Sequence, residues 1–236
     1  MANISQYHII ESDTIKQLRS LVDQLNRLLP TFNCDADHNV TIGDLTNNIR
    51  FAPDGSVLLN GTVQKWDDVY MGFASAKLPA ANYPDWTTFT TNTSAYTFKV
   101  NDYADLSTIE LPHTYKEGSD IEVHLHIATN GTAAATYKAR YIIYYTYALP
   151  DSGTNQFTAE SSLTAELTIP SGNPTRSSFY LSFGTISGAT MIKGTQIKFR
   201  VKRIASTGTE PEGNPYLGMV GIHFLRDSFG SATMLR

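Results

Sequence analysis

His124-Leu125-His126 is the stretch of this chain with ligand spacing. Residues i and i+2 of a β-strand share a face, so a strand here would present both imidazoles together. Two imidazoles do not complete the shell of a first-row metal. Three copies meeting on a threefold axis would supply six nitrogens, an octahedral set that suits iron, nickel, copper or zinc. The plainer reading is two exposed or hydrogen-bonded histidines beside Glu122 on a wet sheet face, and no other cofactor is expected. A second candidate is aromatic. Trp86 and Tyr83, with Trp66 and Tyr70, could form platforms for a sugar, although aromatics of this kind more often fill a core or an interface between subunits. Asp35, Asp37 and Asn39 place oxygens at alternate positions, as a calcium loop does. The sequence lacks the Gly and Glu that such a loop carries at its sixth and twelfth positions, so a solvated turn is expected. Lys193, Lys198, Arg200, Lys202 and Arg203 give a basic strand, read as a solvated face.

Catalytic patterns are missing. The chain has no G-x-S-x-G, H-E-x-x-H, P-loop or G-x-G-x-x-G. Asp67 and Asp68 would face opposite ways on a strand and could not act on one substrate. A glycosidase needs two carboxylates at a set separation, and nothing in the spacing selects such a pair. The expectation is a protein that is not an enzyme.

These side chains need strands to hold them. Residues 120–128 alternate Ile121, Val123, Leu125 and Ile127 with Glu122, His124 and His126. Residues 195–206 and 162–170 alternate in the same way, with one face apolar and one wet, which is the antiparallel pattern. Further strands are expected at 95–101, 107–112, 136–149, 177–187 and 217–226. Turn signals such as Asn130-Gly131 and Ser171-Gly172 separate them. The stretch 141–147 is apolar or aromatic on both faces, as a mid-sheet strand with a covered outer side would be. About eight short strands without helical period predict a mainly β fold, a jelly-roll-like antiparallel sandwich. Asp54-Gly55 between apolar runs predicts a hairpin.

Ahead of the strands, Ile15, Leu18, Val22, Leu25 and Leu29 fall at spacings of 3, 4, 3 and 4. That is a seam of a and d positions on a helix that Ser12 could cap and Pro30 would stop. Two readings stand: an amphipathic helix packed on its own domain, or a short parallel coiled coil that joins copies of the chain. Isoleucine and valine at a with leucine at d favours two strands. The expected division is an oligomerisation and attachment helix at 1–32, a β-hairpin connector at 33–65 and a β-sandwich at 66–236.

Composition narrows the function. The 236 residues include 18 Lys+Arg and 22 Asp+Glu, a net charge of −4 that argues against a nucleic-acid partner. No apolar run is long enough to insert in a membrane. The sole cysteine, Cys34, excludes a disulfide framework within one chain. The first residues lack the basic and apolar regions of a signal peptide, which leads us to expect assembly in a cytoplasm.

Trp66-Asp67-Asp68, the run from Leu111 to Gly118, Val123-His124-Leu125-His126 and the run from Arg226 to Ser231 together resemble a β domain of virion structural proteins in tailed bacteriophages and related prophages. The resemblance covers roughly residues 66–236. It implies a homotrimeric, jelly-roll-like module exposed on the particle. Its partners would be copies of itself and a phage capsid or tail protein, and the place of work a virion assembled in the host bacterial cytoplasm. The expected function is a head fibre or capsid decoration subunit anchored by its N-terminus. The alternative is a tail fibre or tailspike component that meets host surface glycan through Trp86 and Tyr83.

Overall fold

The computed structural model describes residues 15–25, 27, 31–150 and 155–230. Internal contacts divide the chain into two units: residues up to Lys65 together with Asp227–Gly230, and Trp66–Arg226.

In the first unit, residues 15–25 are helical. Four strands follow: β1 (Phe32–Cys34), β2 (Val40–Gly43), β3 (Asn48–Phe51) and β4 (Val57–Asn60). They form an antiparallel meander in chain order. The hairpin expected at Asp54-Gly55 joins β3 to β4. Gly55 takes φ +86°, a left-handed value that glycine adopts without a Cβ clash. The side chain of Asp54 accepts the backbone N–H of Ser56 at 2.9 Å. Asp35 turns its carboxylate onto its own loop. Its Oδ1 accepts the N–H groups of Asp37 and Asn39 at 3.0 and 2.9 Å, and Asn39 Nδ2 donates to both oxygens. Those oxygens are engaged in an Asx turn, in line with the solvated-turn reading. The chain returns here after the second unit. Leu59 N–H bonds to Asp227 O at 2.6 Å and Phe229 N–H to Val57 O at 3.2 Å.

The second unit carries β5 (Lys65–Gly72, from its second residue), β6 (Asp85–Thr90), β7 (Thr93–Thr97), β8 (Tyr103–Asp105), β9 (Ile109–Glu110), β10 (Ile121–Ala128), β11 (Tyr137–Ala148), β12 (Ser161–Ile169), β13 (Ser178–Ile186), β14 (Gln196–Ile204) and β15 (Tyr216–Arg226). They make two antiparallel sheets. One has the order β13-β10-β15-β7-β6, with β5 also on β15. The other has the order β12-β11-β14-β8, with β9 also on β14. From β10 onward the chain runs between the sheets, so β10 lies between β13 and β15 rather than beside β11. The result is the expected mainly β, jelly-roll-like sandwich. Alternation builds its core. Ile121, Val123, Leu125 and Ile127 from β10 face Tyr141 and Ile143 from β11 and Ile197, Phe199 and Val201 from β14, all at 2% exposure or less. Fully burying one such side chain stabilises by about 1.5–3 kcal/mol.

Strand parity corrects one expectation. Arg203 shares its side of β14 with Ile197, Phe199 and Val201, and it is buried at 1% exposure rather than lying on the basic outer face. Its Nη1 donates to Phe98 O at 2.5 Å and Asn214 Oδ1 at 3.1 Å, and its Nη2 to Glu210 Oε2 at 2.7 Å. Lys198 and Arg200 do face outward. Lys198 lies over the Phe157 ring, and Arg200 pairs with Asp105 through two bonds of 2.6 and 2.9 Å. On β11, Tyr141 and Ile143 are buried, whereas Ile142, Tyr144, Tyr145 and Tyr147 are half-buried.

Candidate functional site

The outer face of the first sheet concentrates the unit's titratable chemistry. On β10 the outward residues are Glu122, His124 and His126. The register sets Glu122 opposite His223 and His124 opposite Gly221 on β15, and His124 opposite Ser182 and His126 opposite Tyr180 on β13. Asp68 joins them from β5. A hydrogen-bonded chain crosses the four strands. Asp68 Oδ1 lies 2.7 Å from His223 Nε2. His223 Nδ1 lies 2.6 Å from Glu122 Oε2. Glu122 Oε1 accepts Tyr180 Oη at 2.7 Å and Ser182 Oγ at 2.6 Å.

His124 sits inside this frame. Its ring stacks on Tyr180 at 4.6 Å between centroids and lies 4.4 Å from the His223 ring and 5.1 Å from that of His126. These neighbours leave an outward-facing histidine only 4% exposed. Its Nδ1 is buried, with no hydrogen-bond partner among the described residues. Gly221 makes the seat: a Cβ there would stand 2.2 Å from His124 Nε2. Any larger residue would push the ring out.

The electrostatics follow from these contacts. Burial is the largest influence on Glu122 and raises its pKa, but the hydrogen bonds from Ser182, Tyr180 and His223 outweigh it, and the net shift is downward. His124 is shifted down, first by burial and then by the neighbouring His223 and His126, which favours its neutral form. Tyr180 is pushed up by burial and by the Glu122 carboxylate that accepts a hydrogen bond from its hydroxyl. One ligand atom each from Glu122, His124 and His223 lies within 4.8 Å of the others, so these three side chains could hold a metal ion.

The expected His124–His126 pair therefore shares a face, while the residues that converge as ligands are His124, Glu122 and His223. Glu122 was visible beside the histidines in the β10 alternation. His223 also has a signal, since Val220, Ile222 and Phe224 alternate as core residues and leave Gly221 and His223 outside. Asp67 and Asp68 do face apart: Asp68 meets His223, whereas Asp67 Oδ2 lies 3.2 Å from Arg226 Nη1.

Trp86 and Tyr83 are elsewhere. Ile127 is opposite Leu217, Leu217 opposite Tyr96, and Tyr96 opposite Trp86. Trp86 thus projects from the core side of the sheet, at its outermost strand, and not from the histidine face. It is 56% exposed and Tyr83 is 51% exposed. Trp86 packs edge-on against Tyr96 at 4.6 Å. The helix residues Ile15, Leu18, Val22 and Leu25 are also open, at 46–55% exposure, and Leu29 lies outside the described residues.

The run from Leu111 to Gly118 turns out to be an anchor. Leu111 and Tyr115 are fully buried. Tyr115 N–H bonds to Pro112 O at 2.9 Å, and its hydroxyl donates to Ser119 O.

No family model matches the chain, and no curated protein matches it. Among solved structures, it is similar to the Clostridium thermocellum N-terminal endo-1,4-beta-D-xylanase 10B CBM22-1–GH10 modules complexed with xylohexaose. That match has 11% identity and a TM-score of 0.32, and covers 66% of this chain and 25% of the other. The structure of infectious bursal disease virus Gx strain is similar at 8% identity and TM-score 0.35, covering 82% of this chain and 45% of the other. TmCBM61 in complex with beta-1,4-galactotriose is similar at 16% identity and TM-score 0.22, covering 70% and 88%. The chain spans a quarter of the first of these proteins and just under half of the second. At such TM-scores nothing in their names transfers to this chain.

Proposed function

We propose that this chain is a non-enzymatic structural subunit of a bacteriophage virion: a trimeric head fibre or capsid decoration protein, held by its N-terminal segment and exposing the β-sandwich. The observation that carries the assembly part is the helix seam. Ile15, Leu18, Val22 and Leu25 form an a/d stripe and remain about half exposed, so the described residues of their own chain do not cover them. A second copy of the stripe is the surface that would complete it. The phage assignment and the threefold state rest on the sequence resemblance described above.

Sedimentation equilibrium of the purified chain at micromolar concentration tests this. A trimer is expected, together with a monomer for the double variant Leu18→Lys, Leu25→Lys, whose far-UV spectrum keeps its β signature. A parent chain that sediments as a monomer overturns the proposal.

The second reading is recognition of host glycan by Trp86 and Tyr83. Their half-exposed rings at a sheet edge favour it, since an open aromatic face can stack on a sugar ring. Retention of the chain on a glycan array, lost in Trp86→Ala, is the expected result. Absence of any glycan signal from the parent chain sinks this reading and leaves decoration alone.

A further inference from the structure

We propose that Glu122 Oε2, His223 Nδ1 and an imidazole nitrogen of His124 form a binding site for one divalent first-row transition ion per chain. The site is built from residues of β10 and β15, braced by β5 and β13, and it does not depend on how copies assemble.

Several independent features converge on it. One ligand atom from each of the three residues lies within 4.8 Å of the other two. Glu122 has one oxygen occupied by two hydroxyl donors, which turns the other toward His223. His223 has its far nitrogen on Asp68 at 2.7 Å. A carboxylate on the outer nitrogen of a ligating histidine fixes ring orientation and raises its basicity, the usual arrangement behind a metal-bound imidazole. His124 brings what a purely structural cluster would not need: an imidazole 96% removed from solvent (4% exposed) whose Nδ1 has no hydrogen-bond partner among the described residues. Gly221 and the Tyr180 ring hold it there from either side.

The donors name the ion class. Two imidazoles with a carboxylate and no sulfur suit zinc, cobalt, nickel or ferrous iron, while magnesium and calcium prefer oxygen alone. Glu122 and Asp68 together balance a dication. The ion replaces the proton shared between His223 Nδ1 and Glu122 Oε2, and that proton leaves to solvent. His126 is not a ligand in this arrangement, which separates it from a shared site on a threefold axis.

The test is titration of the full-length chain, stripped with a chelator, with Co²⁺ followed by visible absorption and with Zn²⁺ followed by calorimetry. The expected result is saturation at one ion per chain. Glu122→Gln and His124→Gln should each abolish saturable binding. Asp68→Asn should weaken it by about 10–100-fold. His126→Ala should leave it unchanged. Far-UV spectra and melting of the metal-free variants establish that each is folded, and His223→Gln replaces either ligand variant that is not. The proposal is overturned by three results: no saturable uptake of either ion, uptake that survives in both Glu122→Gln and His124→Gln, or one ion per three chains that depends on His126.

Discussion

Arg203 and His124 are both polar side chains taken out of water in the same β unit, at 1% and 4% exposure. They are held in opposite ways. Arg203 points into the core from β14 and donates three hydrogen bonds, to the main chain before β8 and to the loop that leads to β15. His124 points out of the sheet from β10 and is buried by the rings around it, with no side-chain hydrogen bond among the described residues. A buried charge must be paired or it destabilises the fold. A buried neutral imidazole with a bare nitrogen costs less and stays chemically available. The first arrangement ties loops to a core; the second keeps a donor ready for a ligand.

The largest effect should come from unpairing the arginine. Glu210→Ala leaves the guanidinium buried with only neutral acceptors and removes the acceptor for Ser206 N–H at 2.6 Å. A loss of about 3 kcal/mol is expected, in the range seen when one partner of a buried pair is removed. Urea denaturation at neutral pH measures it. A change below about 1 kcal/mol, the usual worth of an exposed pair, would mean that the arginine is not sealed from water.

The seat beneath His124 comes next. Gly221→Ala places a methyl group 2.2 Å from His124 Nε2, so the ring must move. About 1–3 kcal/mol of destabilisation is expected, as for other overpacked sites. The double variant Gly221→Ala, His124→Ala should recover part of that loss, because the clash has one partner. Purely additive losses in the double-mutant cycle would show that the strain lies in the backbone instead.

His124→Leu sharpens the contrast further. A residue kept for its ring packing suffers when the ring goes; a residue kept for its nitrogen does not. The leucine removes an unpartnered polar atom and fills similar volume, so metal-free stability should stay within about 1 kcal/mol of the parent or rise. The same chain should take up no Co²⁺. A loss above about 2 kcal/mol would make His124 a packing residue.

How much of this the sequence carried depends on distance along the chain. Alternation alone places Glu122, His124 and His126 on one face, and the long strands from β10 to β15 fall within a residue or two of the expected ranges. It does not identify the pairing of β10 with β15, which brings His223 beside Glu122 across about a hundred intervening residues. Nor does it mark β5, whose polar Trp66-Asp67-Asp68 start conceals the alternation of exposed Trp66, Asp68 and Tyr70 with Val69 and Met71. Arg203 misleads for a related reason. Its companions on the basic stretch are Lys193, Lys198, Arg200 and Lys202, and only strand parity with Phe199 and Val201 sends it inward. Composition cannot distinguish a charge that faces solvent from one that has found a carboxylate inside.

The smallest effect concerns a carboxylate at the surface, where pairing is complete but solvent is near. Glu166 accepts the N–H and hydroxyl of Thr207, both at 2.6 Å, and lies 2.9 Å from Lys138 Nζ. The Thr207 hydroxyl, then its N–H, then Lys138 hold the folded pKa down at about 2, against an ordinary 4.5. A depressed folded value means that the ionised form is favoured by folding. Its contribution is therefore fully present above pH 4.5 and fades as the pH falls toward 2. Glu166→Gln cannot titrate, so the parent and the variant should converge in stability across that window and differ by a constant amount above it. Denaturation midpoints at half-unit pH intervals provide the comparison, and parallel curves down to pH 2 would show that the Thr207 contacts do not hold the carboxylate in solution.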